Sequence, residues 1–550
     1  MLRTLAVTLA ATACVVAQTN FPPPQAPANN PHTPEKELLG MALFFEEQLS
    51  SNNQVACATC HELGAGGVDP RAFDAFNPGA DGIRETADDQ FGSPGLPFLT
   101  PTGGTSPAVM PNVFGEFTQT TNRRSPTVIN SGYHTSYGYD GRHDTLESLI
   151  AEPLLNTTEM AHLGRDWADV TSKLASSEPM RLATQLPPRL ATFVANQSYG
   201  DLFQQAFGSS AITETRVVQA LATYLRTLNS DESPWDGHLN GTYTLTAEEN
   251  LGLQLFTSTA NGATACNTCH GDFNNRVLTE GPIVGQMTSV PAGYYGSPIP
   301  VRLLFHNIGI RPPSEDPGRG SVTGVAADQG LFRVQPLRNI EISGPFFHNG
   351  SAATLEEAID LYDRGGDFHQ NQAPSLTPRN YTQAEKDALV AILKTLTDPR
   401  LATGAYPFDR PLLSTQVSGP IGPSSETAHG KLIASAPFAA MVAESEFQMA
   451  LSGASIGSFT FLMWDTQAAA APGPLNEQLA LSSSFAIYAI GPAQWSPLVA
   501  NGQAGISQIN VPIPANPQLA GMELFSQWAV LEPSATNPIA LSNGLKTRIY

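Results

Sequence analysis

The spacing of hydrophobic and polar positions predicts helices through most of this chain and strands near its end. Apolar residues dominate the stretches 39–44 and 251–256, and each stretch predicts a helix. A third helix is predicted where Leu355, Ile359 and Tyr362 recur three or four positions apart and so share one face.

Capping residues mark both ends of this third helix. Thr354 is followed three positions later by Glu357, which predicts a capping box at the N-terminus. Gly365 and Gly366 predict the C-terminus, because glycine readily adopts the left-handed conformation that ends many helices.

The last quarter of the chain has a different character. Residues 411–550 are poor in charge and rich in Ser, Ala, Gly and Pro. Within them, the alternating stretches 485–490 and 506–511 predict strands. We therefore predict an appended all-β, sandwich-like domain of unassigned role.

The N-terminus has the pattern of a secretory signal peptide over residues 1–17. Arg3 precedes an apolar stretch at 5–16, and small residues lead to a predicted cleavage before Gln18. A buried helix, or a lipoprotein signal using Cys14, are the alternatives. No later stretch is apolar enough to span a bilayer. The mature protein is expected to be periplasmic or secreted and not integral to the membrane.

The other four cysteines form two copies of one motif. Residues 57–61 read Cys-Ala-Thr-Cys-His, and residues 266–270 read Cys-Asn-Thr-Cys-His. This is the attachment pattern of c-type haem, in which both thiols bond to the haem and the adjacent His ligates the iron. Disulfides or a zinc site are alternatives, but neither requires that adjacent His. The motifs predict two covalently bound haem c groups.

The charge balance narrows the choice of partner. The 550 residues carry a formal net charge of −21. Nucleic acid and anionic membrane surfaces would repel such a protein, so neither is an expected partner. A small basic protein that donates electrons to the haems would suit it better.

The two motifs belong to an internal repeat with an offset of 209 positions. Asn130 corresponds to Asn339, and the segment 140–147 corresponds to 349–356. The repeat predicts a mainly α protein built from two duplicated class I cytochrome c-like haem domains. We place these domains at 33–235, with a long loop at 62–122, and at 236–410, before the appended domain at 411–550.

The repeat also distinguishes the two haem sites. Tyr362 aligns with Pro153, and tyrosine can ligate haem iron whereas proline cannot. If these helices cover the haems, the first iron keeps an open position for peroxide or oxygen. Glu159 lies six residues beyond Pro153 and could move protons there. The alternatives are that Tyr362 is only a packed aromatic and Glu159 only a surface charge.

Residues 33–410 resemble the bacterial di-haem cytochrome c peroxidase family, which includes the MauG-type enzymes that oxidise tryptophans in a protein partner. Besides both haem motifs, the resemblance rests on the segments 139–142, 153–160, 336–339, 344–350 and 354–357.

The resemblance implies that the first haem is the peroxidatic one. Cys57 and Cys60 attach it, His61 ligates its iron, and Glu159 falls where the family keeps its distal catalytic carboxylate.

The second haem is implied to transfer electrons. Cys266 and Cys269 attach it, and His270 ligates its iron. Its sixth ligand is Met in ordinary members, whereas Tyr362 stands there in this chain, as in the MauG-type branch. Tyr139 replaces the inter-haem Trp of the family and can still relay electrons.

Other positions depart from the family. Leu149 stands where the family has a distal Gln, and no His occurs between His61 and His134 to close the first haem. The inter-haem calcium of the family takes an Asn side chain near Arg124, which leaves calcium an open question.

The long loop contains a second feature that bears on calcium. Asp81, Glu85, Asp88 and Asp89 cluster there and could bind the ion, but a full ligand pattern is lacking. A solvated acidic loop is the favoured alternative.

Three functions fit these residues. The first is a cytochrome-c peroxidase, which reduces hydrogen peroxide with electrons from a small cytochrome c or cupredoxin-like protein. The second is a MauG-like enzyme, which stores oxidising equivalents on both haems and oxidises a protein or other substrate. The third is a non-enzymatic electron carrier, which Glu159 and the open first haem disfavour. We expect the first function.

Overall fold

A computed structural model describes residues 23–73, 92–96, 119–259, 265–270 and 305–414 with their side chains. Outside these ranges it describes a few single residues and the strands at 76–77, at 90–91 and between 419 and 548. The expected signal peptide, Cys14 and the acidic cluster of the long loop lie outside the described residues.

Helices dominate residues 34–403, as the sequence predicts. They are α1 Pro34–Phe44, α2 Cys57–Cys60, α3 Leu146–Ala151, α4 Trp167–Ser176, α5 Pro188–Val194, α6 Tyr199–Phe207, α7 Glu214–Leu225, α8 Pro234–Leu239, α9 Ala247–Thr257, α10 Asn267–His270, α11 Gly320–Thr323, α12 Leu355–Arg364, α13 Gln383–Lys394 and α14 Pro399–Thr403. Within the described ranges, no helix combines the length and apolarity needed to cross a membrane.

Similar helix arrangements occur in both halves of the helical region. Helix α1 packs on α7 as α9 packs on α13, and the short helices α2 and α10 each carry one cysteine motif. Helices α3 and α12 follow at the repeat offset. We call residues 34–225 the first unit and residues 234–394 the second unit.

One glycine in each unit sets how closely its main helix pair packs. A Cβ added to Gly40 in α1 would lie 2.0 Å from the carbonyl oxygen of Ala220 in α7. A Cβ added to Gly252 in α9 would lie 2.0 Å from the carbonyl oxygen of Ala388 in α13. Both helix pairs therefore approach to a distance that only glycine permits.

Two equivalent asparagines meet where the units join. Asn130 and Asn339 adopt left-handed conformations, with φ of 59° and 61°, and each precedes a short 3₁₀ helix. Ser230 lies between them: its N–H donates to Asn130 Oδ1 at 2.8 Å, and Asn339 Nδ2 donates to its Oγ at 3.0 Å. The pair closes a buried polar seam between the two units.

The third predicted helix is α12, and its ends match the prediction with one difference. Thr354 Oγ1 accepts from the Glu357 N–H at 3.2 Å, and Gly365 ends the helix with φ of 82°. The Glu357 carboxylate accepts from the N–H of Ala353, at 2.7 Å, rather than from that of Thr354. Only half of the predicted capping box is therefore formed.

Each unit has its own hydrophobic core, and each core reaches a cysteine motif. In the first unit Phe44 and Tyr224 are almost completely buried, and Cys57 packs at the edge of the same cluster. In the second unit Trp235 and Ile392 are buried, and Cys266 packs at the edge. The cores therefore hold both motifs in place.

Regular structure in the described part beyond residue 414 consists of antiparallel strands, as predicted. The longer-range sheets use the strands β5 Gly419–Ile421, β8 Ile433–Ser435, β9 Gln448–Ser455, β10 Phe459–Asp465, β11 Ala486–Pro492, β12 Gln494–Trp495, β13 Ala504–Asn510, β14 Glu523–Leu531 and β15 Ile539–Arg548. One sheet has the order β11-β10-β14-β15-β5, and the other has the order β12-β13-β9-β8. Short two-stranded pairs complete the described strands: β1 Phe76–Asn77 with β2 Gln90–Phe91, β3 Phe305–His306 with β4 Phe332–Arg333, and β6 Glu426–Thr427 with β7 Gly430–Lys431.

The packing of α1 on α7 generates a prediction. Gly40→Ala should lower the free energy of unfolding by about 3 kcal/mol, because the new methyl group would overlap the Ala220 backbone. Gly200→Ala is the matched control: Gly200 lies in α6, and its added Cβ meets nothing closer than 3.6 Å. That change should be neutral or stabilise by about 0.5 kcal/mol. Urea unfolding of both variants measures the difference, and equal midpoints would contradict the packing argument.

Candidate functional site

The first motif opens into a cavity of about 670 Å³. Cys57, Cys60 and His61 line this cavity, and the two thiols are free. Burial raises the pKa of both thiols. The described residues contain no cluster of three His, Cys, Asp or Glu side chains of the kind that zinc would require. These observations favour haem attachment over the disulfide and zinc alternatives.

The turn after this motif orients His61. The Nδ1 atom of His61 lies 3.2 Å from the carbonyl oxygen of Gly67. Gly66 and Gly67 both have left-handed φ, of 73° and 75°, which folds that carbonyl back to the ring. Burial lowers the pKa of His61, so the ring is neutral. With Nδ1–H donating to Gly67, Nε2 keeps the lone pair that an iron ligand needs.

The segment after α3 brings Glu159 into the same cavity. Asn156 Nδ2 donates to Glu159 Oε1 at 3.2 Å. Burial, reinforced by the nearby Glu152 carboxylate, raises the pKa of Glu159 to about 7, against an opposing effect of Arg142. A carboxyl group with this pKa can both accept and donate protons near neutral pH. Pro153 and Leu149 line the cavity as well, and neither can ligate a metal.

Two polar residues that line this cavity, Glu152 and His134, were missed from the sequence. Glu152 accepts from Arg142 at 3.0 and 3.1 Å, and it lies 2.6 Å from His143 Nε2. His134, also on the cavity wall, is buried, and this burial holds the pKa of its ring well below the usual range. Glu152 directly precedes Pro153, and this adjacency was the signal by which the sequence could have placed it at the cavity.

The second motif borders a cavity of about 220 Å³. Cys266, Cys269 and His270 line it, and Tyr362 reaches it from α12. Burial lowers the pKa of His270 to about 4, helped by His306, and burial raises that of Tyr362. The structure thus brings Tyr362 together with the second motif, while its repeat counterpart Pro153 lies at the first. Residues 271–304, which follow the motif, are outside the described residues.

Tyr139 lies between the two sites and lines both cavities. Its side chain is buried, and its hydroxyl group has no hydrogen-bond partner within the described ranges. The ring of His348, its repeat counterpart, lies 6.4 Å away and stacks on Phe332 at 3.7 Å. These aromatic rings form the wall that separates the cavities.

Arg124 crosses from the first unit to the second beside this wall. Its Nε donates to the carbonyl of Phe347 and its Nη1 donates to that of Ser343, both at 2.7 Å. Its backbone N–H donates to the carbonyl of His348 at 3.0 Å. The side chain is buried and lines both cavities.

Arg333 makes the reciprocal crossing from the second unit. Its backbone N–H donates to the Tyr139 carbonyl at 2.7 Å, and its Nε donates to the Gly138 carbonyl at 3.4 Å. Arg333 is also buried and lines both cavities. It stands 209 positions after Arg124, so the repeat offset was the signal that could have found this pair.

Haem fits the residues at both cavities. Each cavity offers two free thiols one turn apart and a partly buried, neutral imidazole directly after them, against the edge of an apolar core. Of the other expected residues, Glu159 joins the first set, Tyr362 joins the second, and Tyr139 lies between them.

Comparisons with known proteins agree with this chemistry. A family model described as di-haem cytochrome c peroxidase matches residues 34–244. The methylamine utilization protein MauG of Methylorubrum extorquens is 29% identical over 374 residues, which cover 67% of this chain and 80% of that protein. Cytochrome c551 peroxidase of Nitrosomonas europaea is 28% identical over 383 residues, which cover 70% of this chain and 86% of that protein.

A solved structure shares the fold. The crystal structure of a MauG-like protein associated with microbial copper homeostasis matches with a TM-score of 0.50 and 26% identity, and the match covers 72% of this chain and 98% of that one. MauG proteins and peroxidases both occur among the relatives, so the comparisons do not distinguish between these two activities.

The two motifs generate a prediction about attachment. The denatured wild-type protein should retain two haems per chain, because thioether bonds survive denaturation. Replacing Cys57 and Cys60 with Ala should remove one haem, and replacing Cys266 and Cys269 should remove the other. Intact-mass spectrometry and the pyridine haemochrome spectrum count the haems. A wild-type protein with a single haem, or with zinc in its place, would refute the assignment.

Proposed function

This chain is a member of the di-haem cytochrome c peroxidase and MauG family, and from that premise we propose that it reduces hydrogen peroxide to water with electrons from a small redox protein. The observation that carries the proposal is Glu159, a partly buried carboxyl group in the cavity of the first motif, with a pKa of about 7.

The residues of the two cysteine motifs would hold the haems. Cys57, Cys60 and His61 would hold the first, and Cys266, Cys269 and His270 would hold the second, with Tyr362 as a further ligand to its iron. Bound there, the haems would supply the one-electron chemistry that peroxide reduction requires.

Glu159 handles the proton that peroxide cleavage requires. Its carboxylate accepts a proton from one peroxide oxygen and delivers it to the other, so that the O–O bond can break and the doubly protonated oxygen can leave as water. Two electrons from the redox-protein donor and two protons from solvent would then reduce the remaining oxygen to a second water. Asn156 keeps the carboxyl group turned into the cavity through its 3.2 Å hydrogen bond. Burial, and to a smaller extent Glu152, disfavour the charged form of Glu159, so it holds its proton more tightly than an ordinary glutamate and both protonation states are populated near neutral pH.

Tyr139 relays electrons between the two sites. Tyr139 lines both cavities. Its ring is buried in the wall between them and so lies close to both haem sites. Tyrosine passes an electron readily only if it also loses its proton. Within the described ranges the Tyr139 hydroxyl has no protein hydrogen-bond partner, so its proton would pass to water in one of the two cavities. Electron transfer through Tyr139 should therefore be slower in D2O than in H2O.

MauG-like oxidation is the second candidate, and Tyr362 favours it. An anionic tyrosine ligand stabilises oxidised iron more than a thioether does, which would let the second site share oxidising equivalents with the first. The substrate would then be a protein or another molecule too large for the cavity. A simple electron carrier has no use for Glu159, so we place that function last.

The donor and the compartment follow from charge and from the N-terminus. A net charge of −21 would attract a basic donor such as a small cytochrome c or a cupredoxin-like protein. We propose the periplasm or the exterior as the location, because the N-terminal pattern is that of an exported protein.

Glu159→Gln tests the proposed function. The wild type should oxidise a reduced cytochrome c with peroxide, and Glu159→Gln should do so about 10²- to 10⁴-fold more slowly. Because the ionised carboxylate accepts the first proton, the wild-type rate should rise with pH through about 7, the pKa of Glu159. The variant should lack this rise but keep both resting haem spectra.

The control for this experiment is Glu178→Gln, which alters a carboxylate whose side chain is 70% exposed and which does not line the cavity. It should turn over at the wild-type rate. A Glu159→Gln protein that also turned over at that rate would remove Glu159 from the mechanism. Peroxide reactivity without any donor oxidation in the wild type would favour the MauG-like candidate.

Tyr362→Met tests the difference between the two sites. The resting ferric wild type should give one high-spin EPR signal from an open first site and one low-spin signal from the site with His270 and Tyr362. The variant should keep the high-spin signal and change the g-values of the low-spin one. A low-spin signal that stayed the same would show that Tyr362 does not ligate the iron.

A further inference from the structure

The wall between the two cavities contains two buried positive charges. Arg124 and Arg333 both line both cavities, and they stand at equivalent positions of the internal repeat. Each reaches from its own unit to the backbone of the other, at residues 343–348 and 138–139 respectively. The arrangement has an approximate two-fold character that neither unit could form alone.

The partners of Arg124 are oxygen atoms that a calcium ion would also choose. Backbone carbonyl oxygens are common calcium ligands, and those of Ser343 and Phe347 both point to the same guanidinium. Both oxygens accept hydrogen bonds at 2.7 Å, so the guanidinium occupies the place beside them. Within the described ranges, no carboxylate pairs with Arg124, so its full charge would oppose a second cation. These residues do not fit a calcium ion.

We propose that Arg124 and Arg333 together supply the positive charge between the two haem sites that a divalent cation would otherwise supply, and that the protein needs no calcium there. Two guanidinium groups carry the same total charge as one divalent ion. Unlike a bound ion they cannot dissociate, and arginine does not lose its proton at any physiological pH.

The pair also positions the dividing wall. The backbone N–H of Arg124 donates to the carbonyl of His348, and that of Arg333 donates to the carbonyl of Tyr139. The rings of His348 and Tyr139 meet edge to face within the wall. Burial lowers the pKa of His348 to about 3 against an opposing effect of Asp316, and the charges of Arg123 and then Arg124 lower it further, so that ring stays neutral. Arg124 and Arg333 are therefore positioning residues for electron transfer between the two haem sites.

The first test uses the wild-type holoprotein and does not depend on catalysis. Elemental analysis after purification in calcium-containing buffer should find iron but less than about 0.1 calcium per chain. Excess EGTA should leave the thermal unfolding midpoint and both haem absorption spectra unchanged. One tightly held calcium whose removal lowers the midpoint would overturn the proposal, whether or not the protein reduces peroxide.

The second test replaces Arg124 with asparagine, whose side-chain oxygen could itself bind calcium. In Arg124→Asn, the carbonyls of Ser343 and Phe347 lose their partner and an amide oxygen takes the place of the guanidinium. In EGTA the unfolding midpoint of Arg124→Asn should lie about 5 °C below that of the wild type, and 5 mM calcium should restore at least half of that loss. Magnesium should restore less, because it requires a smaller and more rigid set of oxygens.

Arg410→Asn is the matched control for this substitution. Arg410 donates to two backbone carbonyls, those of Leu401 and Phe408, but lines neither cavity. Its variant should show no response to calcium. An Arg124→Asn midpoint that is the same in EGTA and in calcium would overturn the proposal. If Arg124→Asn does not fold, the calcium content and EGTA response of the wild type still decide the question.

Discussion

The hydrogen bonds by which each unit holds the backbone of the other are the constraint on which the rest of this structure depends. Arg124 and Arg333 anchor the segments that carry His348 and Tyr139, and the two asparagines around Ser230 close the seam beside them. Hydrogen bonds from a charged donor to a buried carbonyl are among the stronger ones in proteins. Because the two crossings are reciprocal, neither cavity can move without moving the wall it shares with the other.

The chemistry of the first cavity follows from how little compensates the charge of Glu159. A buried carboxylate normally has a cation or several N–H groups beside it, which lower its pKa. Glu159 has one amide donor, from Asn156, and a second carboxylate nearby, while Arg142 is bound to Asp140 and Glu152. Its pKa therefore lies where proton exchange is easiest at neutral pH.

A single difference between the repeats separates the roles of the two cavities. Both have a pair of thiols and a neutral histidine on one wall, so haem attachment is the property they share. At equivalent positions of the repeat, the first unit has Pro153, just after α3, and the second has Tyr362, within α12. Because proline has no ligating group, the first cavity keeps room for a small molecule beside Glu159, while the second has a phenol at the corresponding position.

The sequence by itself determined the features that depend on local chemistry. The two cysteine motifs, the helices before them, the caps of α12 and the strands of the last quarter all follow from residues within a few positions of one another. The repeat offset also pairs Tyr362 with Pro153, and so distinguishes the two sites at the level of sequence. Only the tertiary structure decided which residues face each other across the dividing wall. Glu152 at the cavity of Glu159, Arg124 on the carbonyls of residues 343 and 347, and Arg333 on those of residues 138 and 139 are contacts between distant positions or between units. Their partners are often backbone oxygens, which every residue has, so side-chain identity along the chain could not specify them. The close packing of the two units was needed to bring those oxygens to the arginines.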